Sequence, residues 1–300
     1  MNTDTLATRL KHPTINEWRL LCLIVIPMSI AMVAFMLMRD LSSPEGVSAM
    51  IQTSVRWSMP WLYLAFAASS LQVLAPGHLS RWLLRNRKIM GLAFASGMAW
   101  QVSFIIWLVG WHREYYVEEV YVLRDVIEGL VGYTFLVLMT ITSFKWGRQW
   151  LTPKTSQWKL LHTVGIYFLW AYAFGTYWYS VFYYDNPDAI HYLYYWLGVA
   201  AISLRIAAWV KKQARTLEKN VGETSAQPGW LAAGGLVITA GIVGAATGSL
   251  WQEAAHANMY DVSWAQFLEL YVPYWPFVPY LPMFAIAAGG FLLVRARRKA

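Results

Sequence analysis

Six histidines and a single cysteine carry most of the chemistry open to this 300-residue chain, and the histidines fall into distinct settings. His162 closes the run Trp158-Lys159-Leu160-Leu161-His162 at the head of a long apolar stretch. An ionisable group inside a membrane segment is a candidate for moving a proton or touching a quinone. The plain alternative is a helix-start histidine bonded to a loop carbonyl. His112 follows the third apolar stretch, His191 stands at the start of the sixth and His256 lies in the last loop, and Glu114, Glu118, Glu119, Asp185, Asp188, Glu253 and Asp261 share their side of the chain's expected topology. Imidazole with carboxylate suits zinc, iron or copper(II). No histidine among them sits four residues from one of these carboxylates, as a helical imidazole–carboxylate ligand pair would, and carboxylates merely kept away from basic loops give the same pattern. Cys22 is alone, so dithiol redox chemistry within the chain is excluded.

Other polar groups are sparse. Arg124, Asp125 and Glu128 stand together at the start of an apolar run, as a salt-bridged helix start would. Gln52, Gln72 and Gln101 are the amides near or within apolar runs, and Gln101 is the deepest. It reads either as an interhelical hydrogen-bonding group or as a pocket residue. No phosphate-cradling glycine loop, nucleophile elbow, metalloprotease helix or nicotinamide fingerprint occurs.

These groups must be positioned by membrane helices. The chain is 58% hydrophobic and only 13% charged, against about a quarter charged in soluble domains. Apolar runs near the ~20 residues that cross a bilayer fall at 19–38, 55–75, 89–110, 126–144, 160–182, 190–210, 230–250 and 276–294. The expectation is an all-α polytopic protein of about eight spans. Lys and Arg crowd before the first run, after the second, fourth and sixth, and at the end of the chain. The positive-inside rule then places both termini in the cytoplasm of a bacterial-type inner membrane. The net charge of +8 is a topology signal that requires no nucleic-acid partner. The first run is full length and flanked by Arg19 and Arg39, so it reads as a retained span rather than a cleaved leader. Eighteen Trp and eighteen Tyr concentrate near the ends of the runs, the pattern of interfacial belts.

Along the chain, the expected organisation is a cytoplasmic N-terminus (1–18), a six-helix membrane domain (19–212), a polar linker (213–228) and a two-helix C-terminal extension with a periplasmic loop (229–300). The linker reading rests on the charged stretch from Lys211 followed by turn-forming residues up to Pro228. In the seventh run Ala240, Gly244 and Gly248 recur every four residues, a spacing that lets helices approach closely. The proline- and aromatic-rich stretch Tyr271 to Pro282 reads as an extended segment hugging the interface.

The second to sixth runs resemble the ferric reductase-like transmembrane domain family, on the bacterial branch that includes the haem-binding membrane subunit of the methionine sulfoxide reductase system. The resemblance lies in Arg56-Trp57 through Leu71-Gln72-Val73-Leu74, in Arg87-Lys88-Ile89-Met90-Gly91-Leu92-Ala93-Phe94, and in Ile141-Thr142-Ser143 followed by Trp158 to His162. Arg124 to Gly129 matches more loosely. The likeness covers about 160 of the 300 residues. It implies a six-helix core, haem b between the third and fifth helices, and electron transfer from quinol or a partner to a periplasmic or membrane acceptor. It also makes His162 a candidate haem ligand, with Met90, Met98 or Tyr167 as candidates for the opposite face. The family's other ligand positions fall on Gln101 and Gly175, so the implied haem site is a modified one. Two functional expectations follow: an electron-transfer subunit of oxidoreductase class using haem or quinone, or a non-redox scaffold whose pocket is filled by side chains such as Trp100, Gln101, Phe104, Phe168 and Tyr172.

Overall fold

The structure, a computed structural model, describes residues 3–152, 154–183, 186–221, 224–260, 268 and 271–299. Each apolar run falls on a long helix: α1 (Glu17–Met38), α2 (Pro44–Leu74), α3 (Arg87–Trp111), α4 (Leu123–Thr142), α5 (Thr155–Phe182), α6 (Ala189–Val221), α7 (Pro228–Ala246) and α8 (Leu281–Arg295). Six of them, all but α2 and α5, are long and apolar enough to cross a membrane. The two exceptions are longer still, at 31 and 28 residues. Their apolar character is diluted by Gln52, Ser54, Arg56 and Ser58 in α2 and by the polar start and tyrosines of α5. The protein is thus an all-α, multi-pass membrane protein. The helices form two compact units, one of Met1–Ala68 with His78–Trp170, the other of Ser69–Gly77 with Ala171–Ala300.

In the first unit α1 packs along α3. Met32, Val47, Met50, Phe104 and Leu108 form one of its buried clusters, and Trp100 and Trp107 pack against it. Gly97 brings α3 so close to α2 that a Cβ there would run into Ser58. The chain ahead of α1 is latched to the residues before α3. Trp82 donates its indole N–H to Ile15 O at 2.8 Å. Arg85 donates to Leu10 O and to Asn16 Oδ1, both at 2.7 Å. Buried Asn86 donates to Asn16 Oδ1 at 3.0 Å and accepts from Glu17 N at 3.0 Å. Its amide is satisfied from both sides, as a buried polar group requires.

The second unit revises three expectations. The charged stretch after 212 is helical up to Val221, because Lys, Gln, Ala, Arg and Glu are good helix formers. The residues that follow pair as an antiparallel strand, Thr224–Ala226 against Arg297–Lys299, with Arg297 bonded to Glu218 at 2.8 Å. The expected linker is therefore tied to the end of the chain. Secondly, part of the expected loop forms a helix, Gly248–Tyr260, held by Trp251 Nε1 donating to Gly244 O at 2.9 Å and Gln252 Nε2 donating to Phe182 O at 3.0 Å.

Thirdly, the face of α7 that packs most tightly on α8 is that of Gly234 and Gly241; of the expected stripe, Ala240 is exposed, Gly244 is in ordinary contact with Pro282, and Gly248 is buried against Phe182. A Cβ at Gly241 would lie 2.7 Å from Pro282 O, and one at Gly289 would lie 2.7 Å from Gly234 O. Gly290 turns α8 toward Ile206 of α6. The tight partner of α7 is thus its own hairpin mate. One belt tryptophan also moves: Trp178 is fully buried among Phe182, Tyr195 and Trp251.

Candidate functional site

The head of α5 places His162 on the wall of a cavity of about 690 Å³ inside the first unit. The Trp158 ring, one helical turn earlier, lies 4.6 Å from the imidazole. Trp158 is itself anchored by its indole N–H donating to Thr142 O at 3.2 Å. Across from it, the end of α4 presents the buried Thr142 hydroxyl, with Oγ1 3.0 Å from His162 Nε2. That hydroxyl has one proton, directed at Leu138 O at 2.7 Å. Oγ1 therefore accepts from Nε2–H, leaving the lone pair of the ring on Nδ1. The plain expectation of a helix-start histidine is met in form, with a threonine hydroxyl in place of a loop carbonyl.

The cavity is two-sided. Its inner wall is apolar, made by Leu62, Leu92, Phe94, Leu136, Ile166 and Leu169. Its rim carries Arg85, Arg87, Lys88, Lys145, Arg148 and Lys159, and no carboxylate is among the lining residues. Two of the cations are preset by aromatic faces. Arg148 lies 4.7 Å above the Trp158 ring. Lys88 is 5.3 Å from the Trp18 ring and 5.1 Å from that of Phe144, and these two rings stack on each other at 5.8 Å. Arg87 donates to Ala65 O at 3.0 Å.

Gln101 is not in this cavity. Its Oε1 accepts from Tyr133 OH at 2.7 Å, which is the interhelical hydrogen bond that the sequence offered as one of two readings. Trp100 and Phe104 stack beside it at 6.0 Å, and Phe168 meets Phe135 at 5.4 Å. Met90, Met98 and Tyr167 do not line the His162 cavity either. In the second unit, Gly175 is buried against Tyr280, so that a Cβ there would lie 3.0 Å from the phenol oxygen. Tyr280 is held in place by its OH donating to Ala171 O at 2.9 Å.

Haem bound as the resemblance implies does not fit these residues. The Nε2 of His162 is committed to Thr142, Gln101 offers an amide already engaged by Tyr133, and the face of Gly175 is covered by Tyr280.

The other polar clusters resolve into local structure. Arg124 and Asp125 pair at 3.1 Å at the head of α4, as expected of that helix start. His191 Nδ1 accepts from Asp188 N at 3.1 Å and so caps the start of α6. His112 ends α3, its backbone N–H bonding Leu108 O. Among the described residues no three His, Cys, Asp or Glu side chains come together as a metal site. Asp185 and Asp261 lie outside the described residues. Comparison of the chain with protein-family models, curated proteins and solved structures returns no match.

The sequence reading missed two features of the site. Convergence of the basic segments 85–88 and 145–159 was hidden, because each already had an explanation as a topology signal. Tyr280 was missed because it meets Gly175 across about 100 residues of chain. A buried glycine opposite an aromatic-rich extension was its one available cue.

Proposed function

We propose that this protein is a non-redox membrane subunit built on an eight-span, ferric reductase-like layout: a six-helix core with a C-terminal extension in which the haem positions have been given over to side-chain packing. Both termini lie in the cytoplasm of a bacterial-type inner membrane, a topology supported by the clustering of Lys and Arg. The observation that carries the reading is Tyr280, which occupies the face of Gly175 where the resemblance calls for a second histidine. The hydrogen bond of Tyr133 to Gln101 supports it at the other position. The test is a reduced-minus-oxidised spectrum with a haemochrome assay on protein produced with ample haem. A featureless spectrum is expected, and a b-type band absent from His162→Ala would overturn the reading.

The electron-transfer reading is kept alive by a separate observation, the His162–Thr142 pair opening into a cavity with an apolar inner wall. Nδ1 of a neutral imidazole suits acceptance of a proton from a quinol, and the surrounding cations favour the quinolate anion. In that case quinone replaces haem as the redox group, and a membrane or periplasmic partner accepts the electrons. Quinol-dependent reduction of an added acceptor, lost in His162→Ala, would favour this reading over the first.

A further inference from the structure

We propose that the His162 cavity is a binding site for the phosphate headgroup of an anionic phospholipid taken from the surrounding bilayer. The argument begins with charge. Six cationic side chains line the cavity, and the sequence has no Asp or Glu between Gly46 and Arg113 or between Gly129 and Tyr183, the segments that build it. No carboxylate is therefore among the lining residues beside these cations. Cations converging on a membrane-facing pocket attract anionic headgroups, and several act together.

Preorganisation is the second part of the argument. Aromatic faces hold Arg148 and Lys88 in position without cancelling their charge. The Arg148 guanidinium donates from Nη2 to Thr155 Oγ1 at 3.4 Å, and its other N–H groups suit a phosphate. Hydroxyls of Thr140 and Ser143 and the imidazole of His162 line the same space and provide neutral hydrogen-bonding partners.

The third part chooses the source of the phosphate. Leu136, Ile166 and Leu169 of the inner wall belong to the long helices α4 and α5. A small inorganic anion would leave that wall in contact with water, whereas a glycerophospholipid brings its first methylenes against it. The volume of about 690 Å³ is large enough for a headgroup with its first methylenes and falls within the range of roughly 300–1,000 Å³ for ligand pockets. The site stands whether or not the non-redox reading is right, because it uses neither Gln101 nor Gly175.

The experiment titrates the full chain in detergent with short-chain phosphatidylglycerol, short-chain phosphatidylcholine and inorganic phosphate, following Trp fluorescence and, by native mass spectrometry, retained lipid. Phosphatidylglycerol should bind more tightly than the other two. Lys145→Gln/Arg148→Gln should weaken it about tenfold, while Lys212→Gln/Lys219→Gln, which removes the same charge outside the cavity, should not. Gly91→Phe provides an independent variant: Gly91 lines the cavity and a Cβ there meets nothing within 4 Å, so the ring fills the space and every charge remains. It too should abolish tight phosphatidylglycerol binding. Unchanged affinity in Gly91→Phe, or equal loss in the two charge variants, would overturn the proposal in favour of diffuse surface attraction. Phosphate binding as tightly as the lipid, or displacement of the lipid by a short-chain quinone, would overturn it in favour of a soluble-anion or quinone site.

Discussion

The cavities of the two units are charged differently. In the second, glycines bring α7 onto α8, Tyr280 covers Gly175, Trp178 is fully buried, and a cavity of about 540 Å³ lined by Lys211, Arg215 and Arg297 also carries a carboxylate, Glu218, which pairs with Arg297. In the first, the rim around His162 has six cations and no lining carboxylate, and a cavity remains open beside them. A rim of cations with a carboxylate among them has its own counter-charge, whereas a rim lined by cations alone favours an anion, and this difference is what the proposed lipid site rests on.

The contrast can be broken most severely at the helix hairpin. Gly289→Leu forces a side chain into backbone already in contact with Gly234 and should destabilise the fold by about 3 kcal/mol or more. Loss of monodisperse protein on size exclusion, or a much lower Tm, is the readout; a normal Tm would mean that the hairpin is not close-packed. Next comes Thr142→Val, which leaves His162 Nε2–H without its acceptor and should cost about 1–3 kcal/mol. The expected result is a lower Tm together with a changed Trp158 emission, since that ring touches the imidazole.

Tyr280→Phe keeps the ring over Gly175 and removes only the bond to Ala171 O, so about 1 kcal/mol is expected, with no gain of haem. Arg297→Ala, breaking an exposed ion pair, should change stability by less than about 1 kcal/mol and progressively less as salt is added.

The smallest effect concerns pH. Ser42 donates both its hydroxyl and its backbone N–H to the Asp40 carboxylate, which holds that carboxyl below its usual range. A folded-state pKa that is depressed contributes stability above the unfolded value, and the contribution is lost as pH falls through the folded one. Asp40→Asn should therefore slightly lower stability at neutral pH and flatten a shallow acid limb below about pH 4. An unaltered acid limb would show that the turn does not depend on the charge.

How much of this was legible in the sequence follows from the range of the forces involved. Hydrophobic runs are local, so every long helix could be located from them, and the Arg124–Asp125 helix start was readable for the same reason. The face of α7 was not. A four-residue spacing beginning at Ala240 and a seven-residue spacing from Gly234 to Gly241 occur in the same stretch, and only the position of α8 decides between them. The helices α2 and α5 are less apolar than the other long ones, and their polar residues are engaged in internal bonds such as Ser58 Oγ donating to Ser54 O at 2.6 Å. Of the candidate site, His162 was visible as an ionisable group in an apolar setting. Its partner Thr142 was quoted only as part of a motif, since nothing in a threonine's identity announces that a neighbouring helix will bring an imidazole to it.

The latch ahead of α1 has a consequence for the order of synthesis. Leu10 O, Ile15 O and the N–H of Glu17 find their partners in Arg85, Trp82 and Asn86, which lie 67 or more residues later. While the ribosome is still making the first hairpin, the head of α1 has no such partners and is held only by water and headgroups. Its register in the membrane becomes fixed when the segment before α3 emerges, so the earliest helix to be made is among the later ones to be locked.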